Sequence, residues 1–215
     1  MPSERIETLV FAAPGRDEAH ARCFASIEAS DIGQDYTVQL HPAGVSAREH
    51  WHATMLCAAA AASDYVLVLE DDVLVNRHIL HNCRTWRWRY DPHFAAGWLY
   101  KPGGLMPGVD GWYTKNIEWY GGIAVLWKRA ALAQLMPRAW ELLAELDSNA
   151  WDVAISKAVL TGGYGIRMHS PSLAEHLDEM PSLMGHQPNY WFRTSRGTYD
   201  EQWQRAPGDR NGQFV

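Results

Sequence analysis

Tyr65-Val66-Leu67-Val68-Leu69-Glu70-Asp71-Asp72-Val73 is the stretch whose reading decides the fold of this chain. Five apolar residues in a row, set off by Ser63-Asp64 before them, predict a strand buried on both faces. Three consecutive carboxylates close it. They repel one another, and folding gains nothing by gathering them. A hard divalent cation with oxygen ligands, Mn²⁺ or Mg²⁺, would supply the missing positive charge. Three acids in a solvated turn are the plainer alternative.

Outward from that strand, helical and extended patterns alternate. Thr8–Ala13 is a short apolar run ended by Pro14-Gly15, which predicts a buried strand and a turn. Ala19–Ser30 has helical spacing, and Tyr36–Leu40 reads as a second strand. Ser46 with Glu49 forms a capping-box pattern ahead of a helix with Trp51, Met55, Ala58, Ala59 and Ala62 on one face. Asn76–Trp86 reads as a helix, Ala95–Tyr100 and Gly122–Trp127 as strands. Lys128–Leu135 reads as a helix stopped by Pro137, with separate helices at Trp140–Leu146 and Trp151–Leu160, and a strand at Tyr164–His169. Regularity fades after Pro171. The pattern predicts one α/β domain with a mostly parallel central sheet flanked by helices, spanning 1–186, and a C-terminal tail over 187–215 packed upon it. In such sheets ligands bind at the carboxyl ends of the strands. That rule sets Pro14–Arg16, Glu70–Asp72 and the segment after Tyr164 along one rim.

Composition narrows the function classes. At 215 residues the chain holds one domain, and 20% charged with 47% hydrophobic residues excludes general disorder. A net charge of −6 argues against a protein whose whole surface grips nucleic acid. The three cysteines, Cys23, Cys57 and Cys83, lack the spacing of a zinc site or a disulfide framework and fit reduced thiols. The polar start lacks the apolar stretch of a signal peptide, and no run is long enough to span a bilayer, so a soluble, cytoplasmic protein is expected. The 11 Trp either fill a small core or offer flat surfaces to sugars or bases.

Several other residue groups carry chemistry. Ala12-Ala13-Pro14-Gly15-Arg16, after the first strand, would shape a nucleotide pocket in which Arg16 pairs with phosphate; a plain turn gives the same letters. Asp152 stands in the first turn of a helix, either as a cap or as a general base. Neither His50 with His52 nor His78 with His81 has a third metal ligand, so both pairs read as solvated or stacked. Arg84-Thr-Trp-Arg-Trp-Arg-Tyr90 interleaves cations with aromatics, as single-strand nucleic-acid surfaces do; a surface for sugar rings, or a helix end whose aromatics turn inward, fits the same letters. Tyr190–Arg196 repeats the pattern more thinly.

The Tyr65–Val73 stretch closely resembles the metal-binding strand of glycosyltransferases with the GT-A fold, in which an acid-x-acid motif ends the core strand. The resemblance spans roughly residues 5 to 186 and is diffuse away from that strand. It implies that Asp72 chelates the metal, that Glu70 and Asp71 assist the donor, and that Arg48, in Gly44–Arg48, faces the donor diphosphate or base. Gly121-Gly122-Ile-Ala-Val-Leu-Trp127 resembles the strand supporting the transferred sugar. Pro171–His176, followed by Ser182, Leu183 and Gly185, resembles a closing segment whose His, here His176, is the second metal ligand. In inverting members an acid placed like Asp152 deprotonates the acceptor hydroxyl. The expectation is therefore a metal-dependent transfer of sugar from a nucleotide-sugar, a UDP-sugar foremost, to a saccharide or glycan. Alternatives are a hydroxymethylated base in DNA, reached through Arg84–Tyr90 and flipped out of the duplex, and a nucleotide-binding module without turnover. A sugar-nucleotide-forming nucleotidyltransferase fits poorly, because Ala12–Arg16 holds a single glycine.

Overall fold

The computed structural model describes residues 4–100, 112–114, 122–146, 151–169 and 172–177, with side chains for all but 112–114. The tail over 187–215, Gly121 and the Ser182–Gly185 motif lie outside the described residues. In chain order the elements are β1 (Ile6–Ala12), α1 (Asp17–Glu28), β2 (Thr37–Leu40), α2 (Ala47–Ala60), β3 (Tyr65–Glu70), β4 (Val73–Val75), α3 (Ile79–Thr85), β5 (Phe94–Trp98), β6 (Trp112–Thr114), β7 (Ala124–Lys128), α4 (Arg129–Glu145), α5 (Trp151–Thr161), β8 (Gly165–Met168) and β9 (Ala174–His176). A 3-10 turn over Arg87–Tyr90 links α3 to β5.

Seven strands form the main sheet in the order β2-β1-β3-β7-β5-β8-β6, and β4 pairs with β9 in a small separate ladder. Strands β1, β2 and β3 are mutually parallel, as are β5 and β8; β7 lies antiparallel between β3 and β5. Five strands thus point one way. Only β7 and β6, which is antiparallel to β8, are reversed. This is the expected α/β sheet with two reversals.

The reversal of β7 decides which groups share the rim. The residues just before β7, Gly122 and Ile123, lie where β1, β3, β5 and β8 end, and Glu70 N–H donates to the Ile123 carbonyl at 2.8 Å. Helix α4 therefore climbs from the amino edge of the sheet back to that rim, and α5 starts there.

Alternation along β3 divides the core into two layers. Val66 and Val68 face α2, α4 and α5 with Trp51, Met55, Trp98, Trp127 and Leu132. Tyr65, Leu67 and Leu69 face the other side with Val10, Cys23, Ile27, Ile79 and Leu126. Trp51, Trp98 and Trp127 are fully buried. The tryptophan richness is, at these positions, core filling. Cys23 and Cys83 are buried free thiols and Cys57 is exposed. Among the described residues, no helix is long and apolar enough to cross a membrane.

The capping box at Ser46 forms as read, with the Ser46 side chain accepting from Glu49 N–H and the Glu49 carboxylate accepting from Ser46 N–H. One expectation fails: Pro137 does not end a helix. A single helix runs through it from Arg129 to Glu145. Proline there removes one backbone hydrogen bond, but Leu132, Leu135, Met136, Ala139, Leu142 and Leu143 lie buried on both sides of it. Packing of a continuous apolar face outweighs the local break. Pro137 itself is exposed. Pro137→Ala should therefore stabilise the fold by about 2 kcal/mol, read as a higher urea midpoint with an unchanged slope.

Candidate functional site

Adjacent parallel strands β1 and β3 end side by side, with Phe11 opposite Glu70. The turns beyond them therefore meet. After β1 the chain reverses through Gly15, whose φ of +78° suits glycine, and α1 begins at Asp17. The Asp71 carboxylate reaches into this turn: Oδ2 accepts from Ala13 N–H at 2.7 Å and lies 2.7 Å from His20 Nε2, while Oδ1 accepts from Arg16 Nη1 at 2.6 Å. Both Asp71 oxygens are engaged and the residue is 1% exposed. Asp71 fastens the β1–α1 turn to the acid strand.

Asp72 is set differently. Its Oδ2 accepts from Arg16 Nη2 at 2.6 Å and lies 3.1 Å from His176 Nε2. Its Oδ1 is buried without a hydrogen-bond partner. The β4–β9 ladder is what brings His176 there: Val73 pairs with His176, and Leu177 N–H donates to the Asp72 carbonyl at 2.8 Å. Residues 104 positions apart are thus held in contact by backbone pairing.

The three acids are compensated in part by the chain itself. The Arg16 guanidinium forks across Asp71 and Asp72, and the facing acids, outweighing the opposing effect of burial, raise its pKa further. Burial would raise the Asp72 carboxyl, but the His176 hydrogen bond, with the charges of His176 and Arg16, holds it down to about 2. Glu70 receives no such fork. Burial first, then the charge of Asp72, pushes it up to about 8; His176 opposes this, while Asp152 and Asp71 add to it. The site accordingly carries one well-stabilised carboxylate and one that resists ionisation.

Asp152 lies in the first turn of α5, half-buried, its Oδ1 accepting from Val153 N–H at 2.9 Å. Its charge is felt at Glu70, which puts it on the same rim. Trp151 beside it stacks on Trp51 with ring centroids 5.1 Å apart. A side chain at Gly122 would collide with the Trp151 ring. Gly122 therefore serves to let the start of α5 close on β7.

Arg48 stands in the first turn of α2 with its guanidinium 4.7 Å from the centroid of the Trp140 ring. His52 stacks on the same indole at 4.1 Å. His50 is sandwiched between Phe11 at 4.4 Å and His41 at 4.7 Å. His50 and His52 are thus stacked, as expected of that pair. Ala12 is buried, its carbonyl accepting from His41 N–H at 2.8 Å, whereas Pro14 is exposed in the turn. Sequence reading missed His20. Its place four residues after Arg16 at the start of a helix was the available signal, since such residues share a face.

Arg84–Tyr90 lies elsewhere. Trp86 and Arg89 are 4% and 5% exposed, Arg89 pairs with Glu4 at 2.5 Å, and Tyr65 Oη donates to the Arg89 carbonyl at 3.2 Å. Arg167 stacks over Trp88 and pairs with Asp91. Tyr65 and Glu4 mark the amino edge of the sheet, opposite the acids. The segment turns Trp86 and Arg89 inward, leaves Arg84 and Tyr90 exposed, and lies at the edge of the sheet away from the acids.

No family model matches the sequence, and no curated protein matches it. Solved structures do. S. aureus TarS 1-349 superposes with a TM-score of 0.52 at 11% identity over 80% of this chain and 61% of that one. A glycosyltransferase involved in glycosylation of the major capsid of PBCV-1 gives 0.48 at 12% identity, covering 85% and 95%. GlyE of Streptococcus pneumoniae TIGR4 gives 0.49 at 11%, covering 74% and 44%. This chain spans about three fifths of the TarS fragment. At such identity the TarS likeness is one of fold, and the fold is the GT-A-like glycosyltransferase fold.

The Glu70 carboxyl gives a pH-dependent prediction. Its folded value of about 8 stands above the ordinary 4.5, so its neutral form favours folding. That contribution is complete below pH 4.5 and is lost as pH rises through about 8. In chelator-treated buffer, Glu70→Gln should leave stability nearly unchanged at pH 4 and raise it by on the order of 2 kcal/mol at pH 9. Urea unfolding at the two pH values measures this.

Proposed function

We propose that this chain is a metal-dependent glycosyltransferase that takes its sugar from a nucleotide-sugar, foremost a UDP-sugar, and passes it to a saccharide hydroxyl. The observation that carries the reading is the pairing of Asp72 with His176 on the rim of a GT-A-like sheet, with a buried Asp72 oxygen left without a partner. An oxygen and an imidazole nitrogen so placed fit Mn²⁺ or Mg²⁺, which bind through one or two protein ligands and complete their shell with phosphate and water. Among the described residues no group of three or more His, Cys, Asp or Glu is placed to hold a metal ion. When bound, the ion supplies positive charge against that growing on the leaving nucleoside diphosphate.

The remaining work falls to the chain. Arg16 offers one prong of its guanidinium to the diphosphate, the other being seated on Asp71. Asp71 and His20 hold the β1–α1 turn that carries Arg16 and Pro14, and Ala12 supports that turn from below. Glu70 borders the sugar, as does the segment that begins at Gly122; the role expected of Gly121, outside the described residues, stays a sequence expectation. Arg48, at the start of α2, lines the donor side. Asp152 accepts the proton of the acceptor hydroxyl from the face opposite the leaving nucleotide, which inverts the anomeric centre. The place of Arg84–Tyr90 at the far edge of the sheet, with Trp86 and Arg89 buried, supports a saccharide over DNA as acceptor. A bound nucleotide left unconsumed would mark the binding-module alternative.

The test is nucleotide release from UDP-, GDP- and CMP-sugars, with and without Mn²⁺, in the presence of oligosaccharides or hydroxymethylated DNA. Release that needs Mn²⁺ and rises with an oligosaccharide is expected. Asp152→Asn should lower that rate about 10²–10⁴-fold while donor affinity stays within a few-fold. Full activity in Asp152→Asn would remove it as the base, and failure of every donor with folded protein would overturn the transferase reading.

A further inference from the structure

The Arg16 fork occupies the carboxylates that a metal would use. Its two terminal nitrogens lie 2.6 Å from Asp71 Oδ1 and 2.6 Å from Asp72 Oδ2. The guanidinium is only 10% exposed. Asp71 keeps two further partners, Ala13 N–H and His20. Asp72 keeps one, His176, and a second oxygen without a partner. The two prongs are thus unequal: one is seated in a satisfied network and the other is bound where a competing cation fits. A divalent ion approaching Asp72 meets a fixed positive charge within hydrogen-bonding distance of the same carboxylate, in a place poorly screened by water.

We infer that Arg16 is a resident counter-ion that holds the Asp72 site closed to metal until a nucleotide diphosphate draws its outer prong away. The diphosphate brings the negative charge that allows the guanidinium and the ion to coexist. It accepts from the Nη2 prong, while the Nη1 prong stays on Asp71 and keeps Arg16 in place. Metal and nucleotide then bind with a shared coupling free energy, each raising the affinity for the other by the same factor. The device rests on the donor and metal reading above, and it adds a consequence that reading lacks: metal affinity in the absence of nucleotide is limited by Arg16. Free metal in solution does not load the site ahead of the donor.

The experiment measures Mn²⁺ binding by electron paramagnetic resonance of the free ion, with and without UDP, in the intact chain and in Arg16→Gln. In the intact chain, Mn²⁺ should bind at least tenfold more tightly with UDP present. Arg16→Gln should bind Mn²⁺ alone at least tenfold more tightly than the intact chain, and UDP should improve that affinity by a clearly smaller factor than in the intact chain, the remainder coming from phosphate on the ion. Arg16→Lys covers the case in which the glutamine variant does not fold. A lysine keeps the charge but cannot bridge both carboxylates, so Mn²⁺ alone should bind severalfold more tightly than in the intact chain. Unchanged or weaker Mn²⁺ affinity in folded Arg16 variants, with Mn²⁺ and UDP still bound together by the intact chain, would overturn the counter-ion role and leave the transferase reading standing. Failure of the intact chain to bind Mn²⁺ or UDP under any combination would overturn both.

Discussion

Everything at the rim depends on how two neighbouring strands end. Because β1 and β3 are parallel and adjacent, the turn after one must lie against the turn after the other. One of these turns carries Glu70, Asp71 and Asp72, and the other carries Arg16 with His20 just beyond it. The charges meet before any ligand arrives. Asp71 is spent on holding the two turns together, with both oxygens engaged, and this fixes the direction in which Asp72 points. A like-charged cluster has been converted into a graded one: a carboxylate locked in structure, a carboxylate held ionised, and a carboxylate that resists ionisation. The division of labour follows from position along three consecutive residues and from which of them the guanidinium can reach.

A second constraint comes from the reversal of β7. In an all-parallel sheet Gly122 and Ile123 before it would sit at the amino edge, far from the acids. Here the Ile123 carbonyl accepts from Glu70 N–H, and Gly122 leaves room for the Trp151 ring. The start of α5, and with it Asp152, is thereby brought to the acids. The same reversal sends α4 upward past α2, so that Arg48 and His52 find the Trp140 face. Donor-side and acceptor-side groups of the proposed reaction converge because one strand runs backwards.

Much of this was legible in the residues. Uninterrupted apolar character announced β3, the Ser46–Glu49 pair announced α2, and three acids after a strand announced the rim. What could not be read were pairings between distant segments. Nothing local to Val73–Val75 or Ala174–His176 states that they form a ladder, although that ladder alone seats His176 beside Asp72. The expectation placed His176 there by resemblance; the backbone pairing supplies the physical reason. Likewise, an arginine in a short turn has no visible partner until the topology sets Asp71 and Asp72 opposite it. A local rule misled at Pro137, where the helix break was overridden by apolar packing on both sides. At Arg84–Tyr90 the alternation of cations and rings left surface and interior both open, and the fold buries Trp86 and Arg89 while Arg84 and Tyr90 stay exposed. In both places burial decided, and burial is a property of the whole chain.

The amino edge of the sheet shows how the molecule separates durability from novelty. Arg89 is paired with Glu4 and Arg167 with Asp91, each arginine also lying over an aromatic ring. Those groups tie together segments from the beginning, middle and end of the folded core, and none of them belongs to the rim. Loops at the opposite edge are therefore released from the task of keeping the sheet assembled. Over evolutionary time such a scaffold can exchange rim residues, and with them the molecules it recognises, while inherited ion pairs at the far edge keep the frame intact.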